Sequence, residues 1–131
     1  MIFAMSFIFC NVNPEKKLQA IDCTVRAIAT ARNTDWETEY IGLATQGYIM
    51  GNMPSANEVW HAYLRNKGFV REAIPNTCPD CYTVKDFCKD FSVGVFILGT
   101  GSHVIAVIDG NYYDTWDSGD EVPVYFWRSK A

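Results

Sequence analysis

Apolar positions along the chain follow two periods in turn, a helical one through the first two thirds and a strand-like one after it. Residues 1–10 are a nearly continuous apolar run and read as a buried first strand. Residues 11–18 carry Pro14 and three charges and read as a loop. Asp22 is the expected N-cap of a helix that runs from Cys23 to about Arg32. Its Ala27 and Ala31 lie on one face and permit close packing, and Asn33 is its expected end. Thr34-Asp35-Trp36-Glu37 reads as a capping box opening a second helix to about Gln46, with Gly47 as its stop. Residues 51–54 are a linker, and Ser55-Ala56-Asn57-Glu58 is a second such box, opening a helix to Asn66 that Gly68 ends. A short strand at 69–73 and a loop at 75–80 follow. Thr83-Val84-Lys85-Asp86, a variant of the box, then opens a short helix through about Asp90.

From there the pattern is that of strands. Residues 92–98 are apolar, Gly99-Thr100-Gly101-Ser102 is a turn, and residues 104–108 are rich in β-branched residues. Asp109-Gly110 is a two-residue hairpin signal, residues 111–116 are aromatic, and a last strand is expected at 122–127. Helices first and strands second define an α+β domain, with N-terminal helices packed on a C-terminal antiparallel sheet and one domain spanning residues 1–131.

Composition fits that picture. The chain has 131 residues, 49% apolar and 15% aromatic, enough for one core. A net charge of −4, without a Lys/Arg run, argues against nucleic acid as a partner. The apolar opening is too short to span a bilayer and lacks the basic flank of a signal peptide, so no membrane association is expected. Five cysteines cannot all pair, and reduced thiols in a cytoplasmic setting fit best.

The hairpin also places chemistry. A two-residue turn sets Ile108 opposite Asn111, hence Ile105 opposite Asp114 and His103 opposite Trp116. His103, Asp114 and Trp116 then share a face, with Asp114 a diagonal neighbour of the imidazole; Asp117 falls on the other face unless the turn has another length. Far upstream, Cys23 occupies the first helical position, where the helix dipole and free N–H groups favour a thiolate. The roles follow: Cys23 attacks a carbonyl carbon, His103 takes and returns the proton, Asp114 fixes the imidazole, and the Cys23 N–H donates to the oxyanion.

This order of a cysteine at a helix start, a histidine at a strand start and an acid on the next strand resembles papain-like cysteine peptidases. Where papain relatives carry Asn-Ser-Trp, this chain has Asp114-Thr115-Trp116, and the Asp22-Cys23 pair is similar to that of the bacteriocin-processing type, which uses Asp as third residue. The whole pattern looks like small papain-like proteins of bacteria and phages. The resemblance implies a papain-like fold, a peptide or protein substrate, an acyl-enzyme on Cys23, Trp116 shielding the acid–imidazole contact, no cofactor, and action in a bacterial or phage-infected cytoplasm. There is one departure. Lys17 stands where the family carries its oxyanion glutamine; Gln19 and Asn13 are the nearby amides, and Gln19 is taken as the candidate donor. Acyl transfer to an amine, as in transglutaminase-like relatives, and a non-catalytic binding module are the alternatives.

Other residues have plainer readings. Cys78-Pro-Asp-Cys81 has half-zinc-site spacing and Cys88 could be a third ligand, but no second pair follows, so a loop thiol pair and a core cysteine are expected instead. His61 is read as a surface or half-buried histidine rather than a catalytic one, and Arg26 as a structural partner of Asp22 rather than a binder of substrate carboxylate. Residues 99–102 make a poor phosphate loop, because a strand follows them.

Overall fold

A computed structural model describes residues 6–130. Its elements in chain order are β1 (Ser6–Phe9), α1 (Cys23–Arg32), α2 (Trp36–Met50), α3 (Asn57–Asn66), β2 (Phe69–Ala73), α4 (Val84–Asp90), β3 (Val95–Gly99), β4 (Val104–Ile108), β5 (Asn111–Asp114) and β6 (Tyr125–Ser129). The fold is α+β, as expected. Of the first predicted strand, residues 1–5 lie outside the described residues.

The strands form one sheet in the order β1-β5-β4-β3-β6-β2. It is mixed and not purely antiparallel, because β1 pairs in parallel with β5, from Ser6 opposite Asn111 to Phe9 opposite Asp114. A long connection, here carrying helices, lets a strand return alongside another in the same direction, whereas a tight hairpin forces antiparallel pairing. The β4–β5 hairpin has the expected register, with Ile108 opposite Asn111 and Ala106 opposite Tyr113. Its turn places Asp109 (φ 50°) and Gly110 (φ 78°) in left-handed conformations, the backbone that an Asp-Gly hairpin favours.

The helices do not all lie on one face. Ile28 and Ala31 of α1, Leu43 of α2 and Leu64 of α3 pack with Ile97, Val104, Ala106 and Trp127 on one side of the sheet. Phe87 and Cys88 of α4 pack with Phe96, Leu98, Ile105 and Val107 on the other. Strands β3 and β4 are therefore covered on both faces, which explains their unbroken apolar sequence.

Three helix boundaries differ from expectation, each for a local reason. The cap of α2 is Asp35, whose carboxylate accepts from the Thr38 N–H at 2.7 Å. Thr34 is already committed: its N–H closes the end of α1 on the Ala29 carbonyl, and its hydroxyl donates to the buried Glu39. Gly47 does not stop α2, which continues to Met50 and ends on Gly51 in the left-handed region. Gly47 is instead a point of close approach, since a Cβ there would lie 2.6 Å from the Asn52 carbonyl oxygen. The start of α3 carries no side-chain cap; Ala56 is the cap residue, and Glu58 takes a bond from Asn52. At α4 the box forms as predicted, with Thr83 and Asp86 capping each other's backbone. Strand β3 starts three residues later than expected and ends one later, taking in Gly99, and β6 starts three later and ends two later.

The cysteines also depart from expectation. Cys78 and Cys81 are joined as a disulfide, while Cys10, Cys23 and Cys88 are free. Cys88 is buried against α4's aromatic neighbours, where burial pushes its thiol up to about 11. The three residues of the candidate zinc set are thus placed as a bonded pair and a core thiol, and among the described residues no group of three His, Cys, Asp or Glu gathers as a metal site. No helix among the described residues is long and apolar enough to cross a membrane.

Candidate active site

Three elements bring the predicted residues together. Cys23 heads α1 and is partly exposed. His103 stands just before β4, held by a Thr100 N–H that donates to its carbonyl at 2.9 Å and closes the preceding turn. Asp114 ends β5 and is 2% exposed. The His103 Nε2 lies 2.6 Å from Asp114 Oδ2. Cys23, His103 and Val104 line the same cleft, where the imidazole and the Val104 N–H favour the Cys23 thiolate. With Nε2 committed to the carboxylate, Nδ1 is the nitrogen left for the sulfur.

The electrostatics favour a charged pair. Burial alone would raise the Cys23 thiol, but the His103 hydrogen bond and charge, the Val104 N–H and the nearby Arg26 outweigh it and hold the thiol below its ordinary value. Burial would lower His103, yet its bonds to Asp114 and Cys23 prevail and carry it up to about 9. Asp114 is held below the usual carboxylate range: burial opposes ionisation, but His103, Ser118 and the Thr115 N–H prevail. Cys88, without such neighbours, moves in the opposite direction to Cys23.

Asp114 uses both oxygens. Oδ2 also accepts from the Ser118 hydroxyl at 2.7 Å; Oδ1 accepts from the Thr115 N–H at 2.8 Å and from Arg26 Nη1 at 3.2 Å. Trp116 lays its ring 5.0 Å from the imidazole, centroid to centroid, and is 46% exposed, so it covers His103 from the solvent side. Asp117 is engaged elsewhere, accepting from the Tyr112 hydroxyl at 2.5 Å and from the Gly119 N–H, and so is not the partner of His103.

The candidate oxyanion glutamine is placed differently. Gln19 is exposed in the loop before α1 and is absent from the lining of the cleft at Cys23. Asn13 is buried and gives its amide to Asp22 Oδ2 at 3.0 Å. The head of α1 supplies donors instead. Asp22 makes no side-chain cap bond, so the first N–H groups of the helix stay uncapped beside the sulfur. Across the cleft, Trp60 Nε1 donates to Asn57 Oδ1 at 3.0 Å, which leaves the Asn57 Nδ2 amide available.

The cleft is an open cavity of about 190 Å³ between Cys23, His103, Ser55, Asn57, Trp60 and Gly101. A second cavity of about 170 Å³ adjoins it, sharing Ile21, Thr24 and Ser55, with apolar walls from Val25, Trp36, Tyr40, Leu43 and Pro54. His61 lies apart, bonded to the Tyr125 hydroxyl at 3.0 Å; burial, then Arg71 and Arg65, push its imidazole down to about 4.

Sequence reasoning did not find Asn57, Ser118 or the second partner of Arg26. Asn57 stood in a stretch read as a helix cap, where a polar residue is expected in any case. Nothing in the sequence around Ser118 distinguishes it from a loop serine. No family model, curated protein or solved structure with which the chain was compared matches it.

Proposed function

We propose that the protein is a papain-like cysteine hydrolase that cleaves a peptide, isopeptide or other amide bond. One observation carries the reading: a thiol at the head of a helix shares a cleft with an imidazole whose Nε2 is bound to a buried carboxylate. Cys23, as thiolate, adds to the carbonyl carbon. The oxyanion takes hydrogen bonds from the Cys23 N–H and the Asn57 amide. The imidazolium gives its proton to the leaving amine as the C–N bond breaks, leaving a thioester on Cys23. His103, now neutral, takes a proton from water, the hydroxide attacks the thioester, and the acid product departs as the proton returns to the pair. Trp116 limits water at the acid–imidazole contact, and the adjoining apolar cavity suits an apolar side chain near the scissile bond. A peptide or protein substrate and a bacterial or phage-infected cytoplasm belong to the same proposal.

The placement of Gln19 away from the cleft favours a second reading, a papain-like binding module of low or no activity. The test is a panel of peptidyl electrophiles applied to the wild type and to Cys23→Ala, with the modified residue located by mass spectrometry. Rapid modification at Cys23, lost in the variant and fastest with apolar side chains, is expected. Equal, slow modification of every free thiol would favour the binding module.

A further inference from the structure

We propose that Arg26 is a positioning residue for the Cys23–His103 pair: its guanidinium locks the carboxylate behind His103 to the helix that carries the thiol. The inference rests on the reading of Cys23, His103 and Asp114 as the reacting set, and it assigns that set a fourth member. Arg26 is buried, 8% exposed. Its Nε donates to Asp22 Oδ1 at 2.8 Å and its Nη1 to Asp114 Oδ1 at 3.2 Å. Each carboxylate turns its other oxygen elsewhere. Asp22 Oδ2 accepts from Asn13 Nδ2 and Trp36 Nε1, both at 3.0 Å, and Asp114 Oδ2 meets His103 and Ser118.

The contacts close a circuit. Cys23 shares its cleft with His103, His103 meets Asp114, Asp114 meets Arg26, and one turn of α1 returns to Cys23. A planar guanidinium with several fixed donors can hold two carboxylates at once. Charge gives the circuit its effect. The groups that face the pair are Asp22 before α1, Arg26 on α1, and Asp114 on β5; α2 contributes the neutral Trp36 indole, α3 the neutral Asn57 and Trp60, and the loop before α1 the neutral Asn13. Without Arg26, Asp22 and Asp114 would lose the cation they share, and the positive charge that favours the Cys23 thiolate would go with it.

The test needs no substrate. Full-length protein is treated with iodoacetamide across the pH range and alkylation of Cys23 is followed by peptide mass, with circular dichroism checking the fold. For the wild type, labelling that persists well below the range of an ordinary thiol is expected. Arg26→Met moves the acid limb of the profile to higher pH, making labelling about tenfold slower at pH 6. Arg26→Lys, which keeps the charge, holds the limb close to the wild type. Asp22→Asn, which removes a negative charge and leaves Arg26 to Asp114, keeps it at or below the wild-type position. An Arg26→Met profile that coincides with the wild type overturns the inference, as does an equal upward shift in the Lys or Asn variant, which would mark a packing effect. Those two variants decide the matter if Arg26→Met does not fold. A wild-type Cys23 that labels like an ordinary thiol would instead overturn the functional reading itself.

Discussion

The Nε2 atom of His103 lies 2.6 Å from Oδ2 of Asp114, and this bond fixes both the tautomer and the direction of the ring. Asp114→Asn keeps the shape but removes the charge that favours an imidazolium. Amide hydrolysis should fall by about 10²–10⁴-fold. The same change leaves Arg26 and Ser118 with a poorer acceptor, which should cost about 1–3 kcal/mol. Kinetics on the best amide of a substrate panel, and urea melts, would measure the two effects. Full activity in the Asn variant would remove Asp114 from the mechanism.

Proton linkage makes a sharper prediction. His103, raised to about 9 in the folded chain from an ordinary 6.5, contributes stability that is complete below 6.5 and is lost as pH rises through 9. Cys23, held below its ordinary 9.0, has the opposite sign: its contribution is complete above 9.0 and is lost as pH falls through the lowered folded value. Across the shared window the folded pair holds one proton on nitrogen and the unfolded chain holds one on sulfur. The counts match, so wild-type stability should be nearly flat from about pH 7 to 8.5. Cys23→Ala removes one side of the balance and part of what raises His103, so its stability should fall with rising pH over that range by about 1 kcal/mol, the remainder held by Asp114. Urea melts at several pH values would read this; a wild type as pH-dependent as the variant would speak against an ion pair.

The two amides near the site should behave differently. Gln19→Ala changes an exposed loop residue and should leave turnover within about twofold of the wild type. Asn57→Asp keeps an oxygen for Trp60 Nε1 but replaces the free amide with negative charge, and should lower kcat by about 10²-fold or more. If the Gln19 variant is the impaired one, the loop before α1 closes over the cleft during turnover and Asn57 is not an oxyanion donor.

The sequence made some of these relationships readable and hid others for physical reasons. Asp109-Gly110 specifies a two-residue turn, and that turn alone sets the register that brings Asp114 beside His103. The start of α1 was equally legible, because an alanine-rich helical pattern begins at the cysteine. The partnership of Arg26 with Asp114 spans 88 positions and arises from packing of α1 on the sheet, which no local pattern encodes. Capping motifs misled where a residue had a second use: Thr34 closes α1 and bonds Glu39, so Asp35 caps α2. Gly47 looked like a stop because a close backbone approach and a helix end both call for glycine. Covering of the sheet by α4 was not anticipated, although the uninterrupted apolar runs of β3 and β4 carried the signal.

Strand β1 runs parallel to β5 with Phe9 alongside Asp114, and the Cys10 N–H donates to the Asp114 carbonyl at 2.9 Å. The residue whose carboxylate orients the imidazole is therefore seated by Phe9 and Cys10, which lie far from it in sequence. Removing residues 6–10 would strip β5 of its parallel neighbour and loosen the acid. Residues 6–10 are masonry of the candidate site, and engineered versions of the protein should leave them in place.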